Sequence, residues 1–156
     1  MHVDTSLTAC GPLIDSEHTS DRRVPRAARD LVLIESDVEF ADMISLALTS
    51  AGYGVQVHHS GTEGLEALLA ISTDGLQRLV LVAVDLPGLD GHTLHEQIVL
   101  ARPGAFIFAF LSARGGDADQ IRAYTTGALD YMVKPVSLPV LIAKVRVWLN
   151  LRSRKE

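Results

Sequence analysis

The stretch Leu79–Val84 has the sequence LVLVAV and is the most strand-like part of the chain, because it is wholly apolar and rich in β-branched valine. Leu31–Ile34 (LVLI) and Ala105–Leu111 (AFIFAFL) have the same character. Short, continuous apolar runs are typical of strands that are buried on both faces, as in parallel sheets covered by helices. These runs therefore predict strands of such a sheet.

Amphipathic segments separate the apolar runs. Ser36 or Asp37 can cap a helix that ends at Ala51-Gly52, and the alternating Tyr53–His58 predicts a strand. The other predicted elements are a short strand at Ala128–Val133 and helices at Thr62–Ile71, Thr93–Ala101, Asp117–Thr126 and Leu138–Leu151. Five strands alternating with five helices predict an α/β fold with helices on both faces of a parallel sheet.

Composition excludes several classes of protein. A length of 156 residues predicts one domain, and a formal charge of −5 disfavours a surface that coats nucleic acid. The single cysteine, Cys10, excludes an internal disulfide and a multi-cysteine zinc site. Because no apolar run approaches the roughly 18–20 residues of a membrane span and no secretory signal is recognisable, we expect a cytoplasmic protein without membrane contact.

Composition also divides the chain. Residues 1–30 contain four arginines and no sustained apolar period, so we expect a flexible leader there. We expect the folded domain over residues 31–151. The basic residues 152–156 predict a tail or the start of a linker.

The residues that directly follow the strands are the candidate functional residues, because open parallel sheets bind ligands beyond the carboxyl ends of their strands. They combine acidic groups, a hydroxyl and a lysine. They are Glu35-Ser36-Asp37, Ala83-Val84-Asp85, Ser112-Ala113 and Lys134-Pro135.

This set, together with the segment LVAVDLPGLDG (81–91) and Tyr131, resembles the receiver domain of two-component response regulators over about residues 30–151. Each motif alone is weak, whereas the ordered set is specific. The resemblance implies a flavodoxin-like, doubly wound (βα)5 sandwich with strand order 2-1-3-4-5. It also implies a signalling domain rather than an enzyme, with a histidine kinase or a downstream effector as partner.

In that family a histidine kinase gives a phosphoryl group to an aspartate after the third strand, and acidic side chains hold a magnesium ion that neutralises the developing charge. By position, Glu35 matches the first of these acids, and Lys134 matches the lysine that pairs with the phosphoryl oxygens. Ser112 matches the hydroxyl that swings in to bind them. Tyr131 matches the aromatic residue on the fifth strand whose side chain moves after this hydroxyl has moved.

Two positions depart from the family pattern. The acceptor aspartate stands four residues before the loop proline, here Pro87, and that position holds Ala83, whose methyl group cannot attack phosphorus. The second acid of the turn is Ser36. With these two carboxylates missing, we expect no magnesium site, or at most weak binding at Glu35 and Asp37. We interpret the chain as an atypical receiver, or pseudo-receiver, that acts by protein contacts without phosphorylation at Ala83.

Two other interpretations remain open. The chain is a phosphorylatable receiver if Asp85 serves as a displaced acceptor, or if Ala83 is an engineered replacement of a native aspartate. Such a receiver would use magnesium and a histidine kinase. A third interpretation is a small-molecule-binding module that uses the vacated pocket.

Lys134 needs a new anionic partner if the acceptor is absent, since an unpaired buried ammonium is costly. We predict that it turns to Glu35, Asp37 or Asp85. Ser112 and Tyr131 either keep a two-state switch that another partner biases, or are fixed by local hydrogen bonds.

The last predicted helix is apolar on two faces. Its core face carries Leu138, Leu141, Ile142, Val145 and Leu149, and a second line carries Val140, Val147 and Leu151. Because receivers commonly dimerise through the fourth helix, fifth strand and fifth helix, we predict a homodimer that covers this second line. Burial within the domain is the alternative.

His92 and His95 stand three residues apart near the start of the third predicted helix. Without a third ligand in the sequence, we expect surface histidines rather than a metal site.

Overall fold

Strands and helices alternate along residues 30–73 and 75–152, which the computed structural model describes. The strands are β1 (Leu31–Ile34), β2 (Val55–His58), β3 (Arg78–Val82), β4 (Phe106–Ser112) and β5 (Asp130–Val133). The helices are α1 (Val38–Ser50), α2 (Gly61–Ala70), α3 (Gly91–Ala101), α4 (Asp117–Thr126) and α5 (Leu138–Leu151). The predicted leader and tail lie outside the described residues, apart from Asp30 and Arg152.

The five strands form one parallel sheet with the order β2-β1-β3-β4-β5, which confirms the predicted fold. β1 is buried along its whole length because successive side chains point to opposite, helix-covered faces. Leu31 and Leu33 pack with Ile44 of α1 and Val145 of α5. Val32 and Ile34 pack on the other face, where α2, α3 and α4 lie.

Several predicted boundaries shift by one or two residues. Asp37 rather than Ser36 caps α1, where its Oδ1 accepts a hydrogen bond from the Phe40 amide at 3.2 Å. β5 begins at Asp130 rather than Ala128, because Gly127 adopts a left-handed conformation (φ 110°) and the Ala128 amide still bonds to α4.

β3 ends at Val82, two residues before the end of the apolar run. The chain turns there because α3 starts directly against the strand end: the Gly91 amide donates to the Val84 carbonyl at 2.8 Å. A Cβ on Gly91 would lie 2.0 Å from the Ala83 carbonyl oxygen, so only glycine allows this approach. The contact sets the position of Ala83 at the end of the sheet.

None of the helices in the described part of the chain is long and apolar enough to cross a membrane.

Candidate functional site

The carboxyl ends of four neighbouring strands bring the predicted site residues to one edge of the sheet. Ile34 pairs with Val82, and Val82 pairs with Phe110. The Ala83 amide donates to the Ile34 carbonyl at 3.0 Å, and the Lys134 amide donates to the Ser112 carbonyl at 2.9 Å. This parallel register places the residues that follow β1, β3, β4 and β5 next to one another at one edge of the sheet.

Ala83 directly follows the last residue of β3 at this edge and is only 4% exposed. Its neighbours in the chain are Val82, the last residue of β3, and Val84, which is also buried. The buried methyl group offers neither a nucleophile nor a metal ligand.

Lys134 forms an ion pair with Glu35, one of the three acids that the sequence offered. The distance from Lys134 Nζ to Glu35 Oε1 is 2.6 Å, and the Glu35 side chain is 3% exposed against 22% for Lys134. The other carboxylate oxygen, Oε2, accepts a hydrogen bond from the Asp37 amide at 3.0 Å. The ammonium also lies 4.3 Å from the centre of the Phe40 ring. The peptide bond that follows Lys134, to Pro135, is cis.

The other residues of the acidic turn have different partners. The Ser36 hydroxyl donates to the main-chain carbonyl of Asp85 at 3.3 Å, and the Asp37 carboxylate caps α1. Both oxygens of Glu35 already accept hydrogen bonds. Within residues 30–73 and 75–152, no group of three or more His, Cys, Asp or Glu side chains converges on a point that could hold a metal ion. The two acids of this turn, Glu35 and Asp37, are thus both engaged by groups of the chain itself.

Asp85 projects from the β3–α3 loop and is paired with Arg114. The distance from Arg114 Nε to Asp85 Oδ1 is 2.8 Å, and both side chains are more than half exposed, at 52% and 64%. The charge of Asp85 is thus engaged in an exposed ion pair, in contrast to the more buried Glu35–Lys134 pair.

Ser112 and Tyr131 are both buried and both bind the main chain of Arg114. The Ser112 Oγ accepts from the Arg114 amide at 3.1 Å, and the Tyr131 hydroxyl donates to the Arg114 carbonyl at 2.6 Å. The Tyr131 ring stacks on Phe110, with ring centres 5.6 Å apart, and is 6% exposed. Burial raises the pKa of the Tyr131 hydroxyl. Tyr131 therefore points inward.

The expectation that His92 and His95 lie on the surface is wrong, because they are only 3% and 2% exposed. His95 is four residues after Gly91 and three before Ile98, so it shares the helix face that packs on β4. Its ring lies 4.3 Å from that of Phe108. His92 is satisfied in its buried position by Asp119 of α4, with 2.9 Å between Nε2 and Oδ1.

The two apolar lines of α5 differ in exposure. Leu141, Val145 and Leu149 are buried against the sheet, and Leu138 and Ile142 pack at the edge of that core. Val140, Val147 and Leu151 are 47%, 55% and 60% exposed. Val140 and Val147 line an open groove of about 470 Å³, together with Pro139, Ala143 and Trp148 and the charged pair Asp130–Lys144.

The fold and the site define a class of signalling domain. The family model described as the response regulator receiver domain matches residues 31–146. This chain belongs to that family and is the receiver domain of a two-component response regulator.

Several curated relatives are described as transcriptional regulatory proteins. The chain is 35% identical over 125 residues to the transcriptional regulatory protein AfsQ1 of Streptomyces coelicolor. The aligned residues are 80% of this chain and 53% of the relative. The chain is 33% identical over 120 residues to the transcriptional regulatory protein HprR of Escherichia coli, with 77% and 51% covered. The chain thus spans about half the length of these relatives.

Solved structures agree with the fold. A response regulator from Chloroflexus aurantiacus superposes with a TM-score of 0.67 at 30% identity, covering 78% of this chain and 98% of that one. A CheY-like receiver domain from Methanospirillum hungatei gives a TM-score of 0.71 at 23% identity, covering 78% and 94%, and so supports the fold alone.

Sequence reasoning missed one residue of the site, Arg114. Its position two residues after Ser112 is a signal that was available, because a cation in a loop at this edge of the sheet can reach an acid on the neighbouring loop. The choice of Asp85 as its partner depends on the loop geometry.

Proposed function

We propose that this chain is an atypical receiver domain that acts through protein contacts in two-component or phosphorelay signalling, without phosphorylation at the usual position. The observation that carries the proposal is Ala83, a buried methyl group at the place where the family pattern requires an aspartate. An acyl phosphate needs a carboxylate oxygen, and Ala83 has none. We propose that the domain is a cytoplasmic signalling module rather than an enzyme.

The ion pair between Lys134 and Glu35 supports this proposal. In the family pattern the lysine pairs with phosphoryl oxygens, whereas here its ammonium is bound at 2.6 Å by a carboxylate that is nearly inaccessible to water. A phosphoryl group entering the site would have to compete with this internal anion. The same pair occupies the carboxylate that would be the first magnesium ligand, so we propose a domain that functions without magnesium.

Phosphorylation of Asp85 as a displaced acceptor is less well supported than a domain without phosphorylation. Its side chain is 64% exposed and its Oδ1 accepts a hydrogen bond from Arg114. A position two residues beyond Ala83 moves a carboxylate by about 6–7 Å along an extended chain. Phosphoryl transfer requires close alignment of the attacking oxygen, so such a displacement separates Asp85 from Lys134 and Ser112.

Phosphoryl labelling tests the proposal directly. We expect that the chain incubated with acetyl phosphate and magnesium shows no added phosphoryl mass by intact mass spectrometry, because the acceptor position lacks a nucleophile. We also expect no saturable change in the amide resonances of Glu35 and Ala83 when magnesium or beryllofluoride is added at millimolar concentration.

A receiver with an aspartate at the acceptor position, treated in parallel, shows that the reagents are active. Label on this chain that disappears in the Asp85→Asn variant would establish the displaced acceptor. A saturable response to both magnesium and beryllofluoride would overturn the proposed function.

The outer line of α5 supports a second part of the proposal, a homodimer that uses α4, β5 and α5. Val140, Val147 and Leu151 form an apolar line on the surface, and the neighbouring groove carries both an acid and a base. Apolar residues repeated along one exposed helix face are typical of surfaces that another chain covers. The partner that we propose is a second copy of the domain, with an output that is transcriptional by analogy with AfsQ1 and HprR.

Sedimentation velocity at increasing protein concentration tests this dimer. We expect that Val147→Asp raises the dissociation constant at least tenfold, because a charge in the centre of an apolar contact must be desolvated without a partner. Leu100→Asp is the matched control, since Leu100 is 84% exposed on α3, a different surface. If the unmodified chain and Val147→Asp both sediment as monomers, the dimer proposal is wrong.

A further inference from the structure

Arg114 makes three of the hydrogen bonds that hold the short loop between β4 and α4, and Gln120 of α4 adds another by donating to the Gly115 carbonyl at 3.1 Å. The Arg114 amide binds Ser112, its carbonyl binds Tyr131, and its guanidinium binds Asp85 on the β3–α3 loop. The hydroxyl and the aromatic residue that the family pattern assigns to switching therefore both bind the main chain of Arg114.

The loop has little stiffness of its own. Arg114 is followed by Gly115 and Gly116, and a Cβ on Gly116 would meet no atom within 4 Å. Glycine restricts the backbone least, and Gly116 also provides no side-chain cap for α4. The Arg114–Asp85 ion pair is the side-chain contact that ties this loop to the neighbouring loop.

We propose that Arg114 is a positioning residue that acts as a latch. Its ion pair with Asp85 holds the loop so that the Arg114 carbonyl accepts the Tyr131 hydroxyl, which keeps Tyr131 inward without a phosphoryl group. The inference rests on the proposed function, in which no phosphoryl group draws Ser112 inward. Asp85 of the β3–α3 loop then supplies the anion that anchors the β4–α4 loop.

The strength of the latch follows from its exposure. Both side chains are more than half exposed, and exposed ion pairs are weak, so the loss of this pair changes a two-state ratio by at most about fivefold. Stacking of Tyr131 on Phe110 provides the remaining preference for the inward state. A latch of this size leaves the switch adjustable by a protein partner and sensitive to salt.

The position of the Tyr131 ring is the quantity to measure. The chain has three tyrosines, so 13C labelling of the ring ε carbons gives few signals, and Tyr131→Phe assigns the one of interest. A soluble gadolinium chelate broadens this signal in proportion to the time that the ring spends outside. We expect Arg114→Gln and Asp85→Asn each to raise the outward-to-inward ratio by up to about fivefold.

Three controls separate the latch from a general effect of charge. The exchanged double variant, Asp85→Arg with Arg114→Asp, restores the inward ratio because the ion pair forms again in reverse. Arg122→Gln removes another exposed ion pair, Arg122–Glu96 between α4 and α3, and leaves Tyr131 unchanged. High salt raises the outward ratio in the unmodified chain but has no further effect in Arg114→Gln.

The latch is overturned if neither single variant moves the Tyr131 signal, if only Arg114→Gln moves it, or if Arg122→Gln moves it equally. These outcomes differ from a failure of the proposed function, which is measured by phosphoryl mass and by the response to magnesium.

Discussion

We expect the replacement of Lys134 by methionine to lower the free energy of unfolding by about 3 kcal/mol, in urea denaturation at neutral pH. The variant leaves the Glu35 carboxylate, 3% exposed, without a counter-charge and with a hydrogen bond from only one main-chain amide. The penalty lies at the lower end of the range for buried pairs, because Lys134 is 22% exposed and part of its charge is solvated.

The two partners of this pair are not equivalent. Glu35→Gln costs less than Lys134→Met, because the freed ammonium can extend its flexible stem toward water, whereas the carboxylate cannot leave the interior. The double variant Glu35→Gln with Lys134→Met recovers part of the loss, since no uncompensated charge remains.

Lys144→Met is the matched control for the loss of a lysine. Lys144 is 39% exposed and its partner Asp130 also accepts hydrogen bonds from Tyr124 and Tyr131, so we expect a loss of no more than about 1 kcal/mol. An equal loss in Lys144→Met and Lys134→Met would contradict the assignment of a special, buried pair to Glu35 and Lys134.

His95 makes the stability of the fold depend on pH below neutrality. Burial lowers the pKa of His95 from 6.5 to about 4, with a further contribution from nearby His92. The imidazole has a lower pKa in the folded chain than in the unfolded chain, so the unfolded state binds the proton more tightly. Stability is therefore complete above pH 6.5 and falls between pH 6.5 and pH 4, by about 3 kcal/mol in total.

The interval from pH 7 to pH 5 separates the effect of His95 from that of two carboxyl groups with lowered pKa values, Glu96 and Asp130. The hydrogen bond from Arg122 lowers the pKa of Glu96, and the hydrogen bonds from Lys144 and the Tyr131 amide lower the pKa of Asp130 despite its burial. The stabilisation that these two carboxylates provide is therefore lost only below this pH interval. Over this interval we expect the unmodified chain to lose about 2 kcal/mol of unfolding free energy through His95.

His95→Leu removes the titrating group at similar volume and flattens the pH profile. It also removes Nδ1, a buried atom that has no hydrogen-bond partner in the structure, so the variant keeps its stability at neutral pH. His92→Gln retains His95 and keeps the acid-dependent loss. A pH profile of His95→Leu that parallels that of the unmodified chain would show that His95 does not cause the dependence.

The course of the chain could be predicted because the strands are encoded locally. Leu31–Ile34 and the run that starts at Leu79 are apolar on both faces, and such runs are stable only between two helical layers. The end of β3 was predicted two residues too late because it depends on the close approach of Gly91 to the Ala83 carbonyl, which the apolar pattern of the strand does not show.

The hydrogen-bond and ion-pair partners of polar side chains were harder to predict than the strands and helices. The sequence left Glu35, Asp37 and Asp85 open as partners for Lys134, and the choice depends on which carboxylate the strand ends bring within hydrogen-bonding distance. Helical spacing placed His92 and His95 near one another but did not show that their shared face covers Phe108 of β4. Arg114 was missed because its partner lies 29 residues earlier in the chain.

The sequence by itself determined the parallel sheet, the receiver pattern at the strand ends and the alanine at the acceptor position, because these depend on residue type and spacing. Only the tertiary structure decided that Lys134 binds Glu35, that the two histidines are buried, and that Arg114 joins Asp85, Ser112 and Tyr131. Charge and hydrogen-bond pairing depend on distances of a few ångströms between separate loops, and these distances are fixed only when the sheet and its helices pack together.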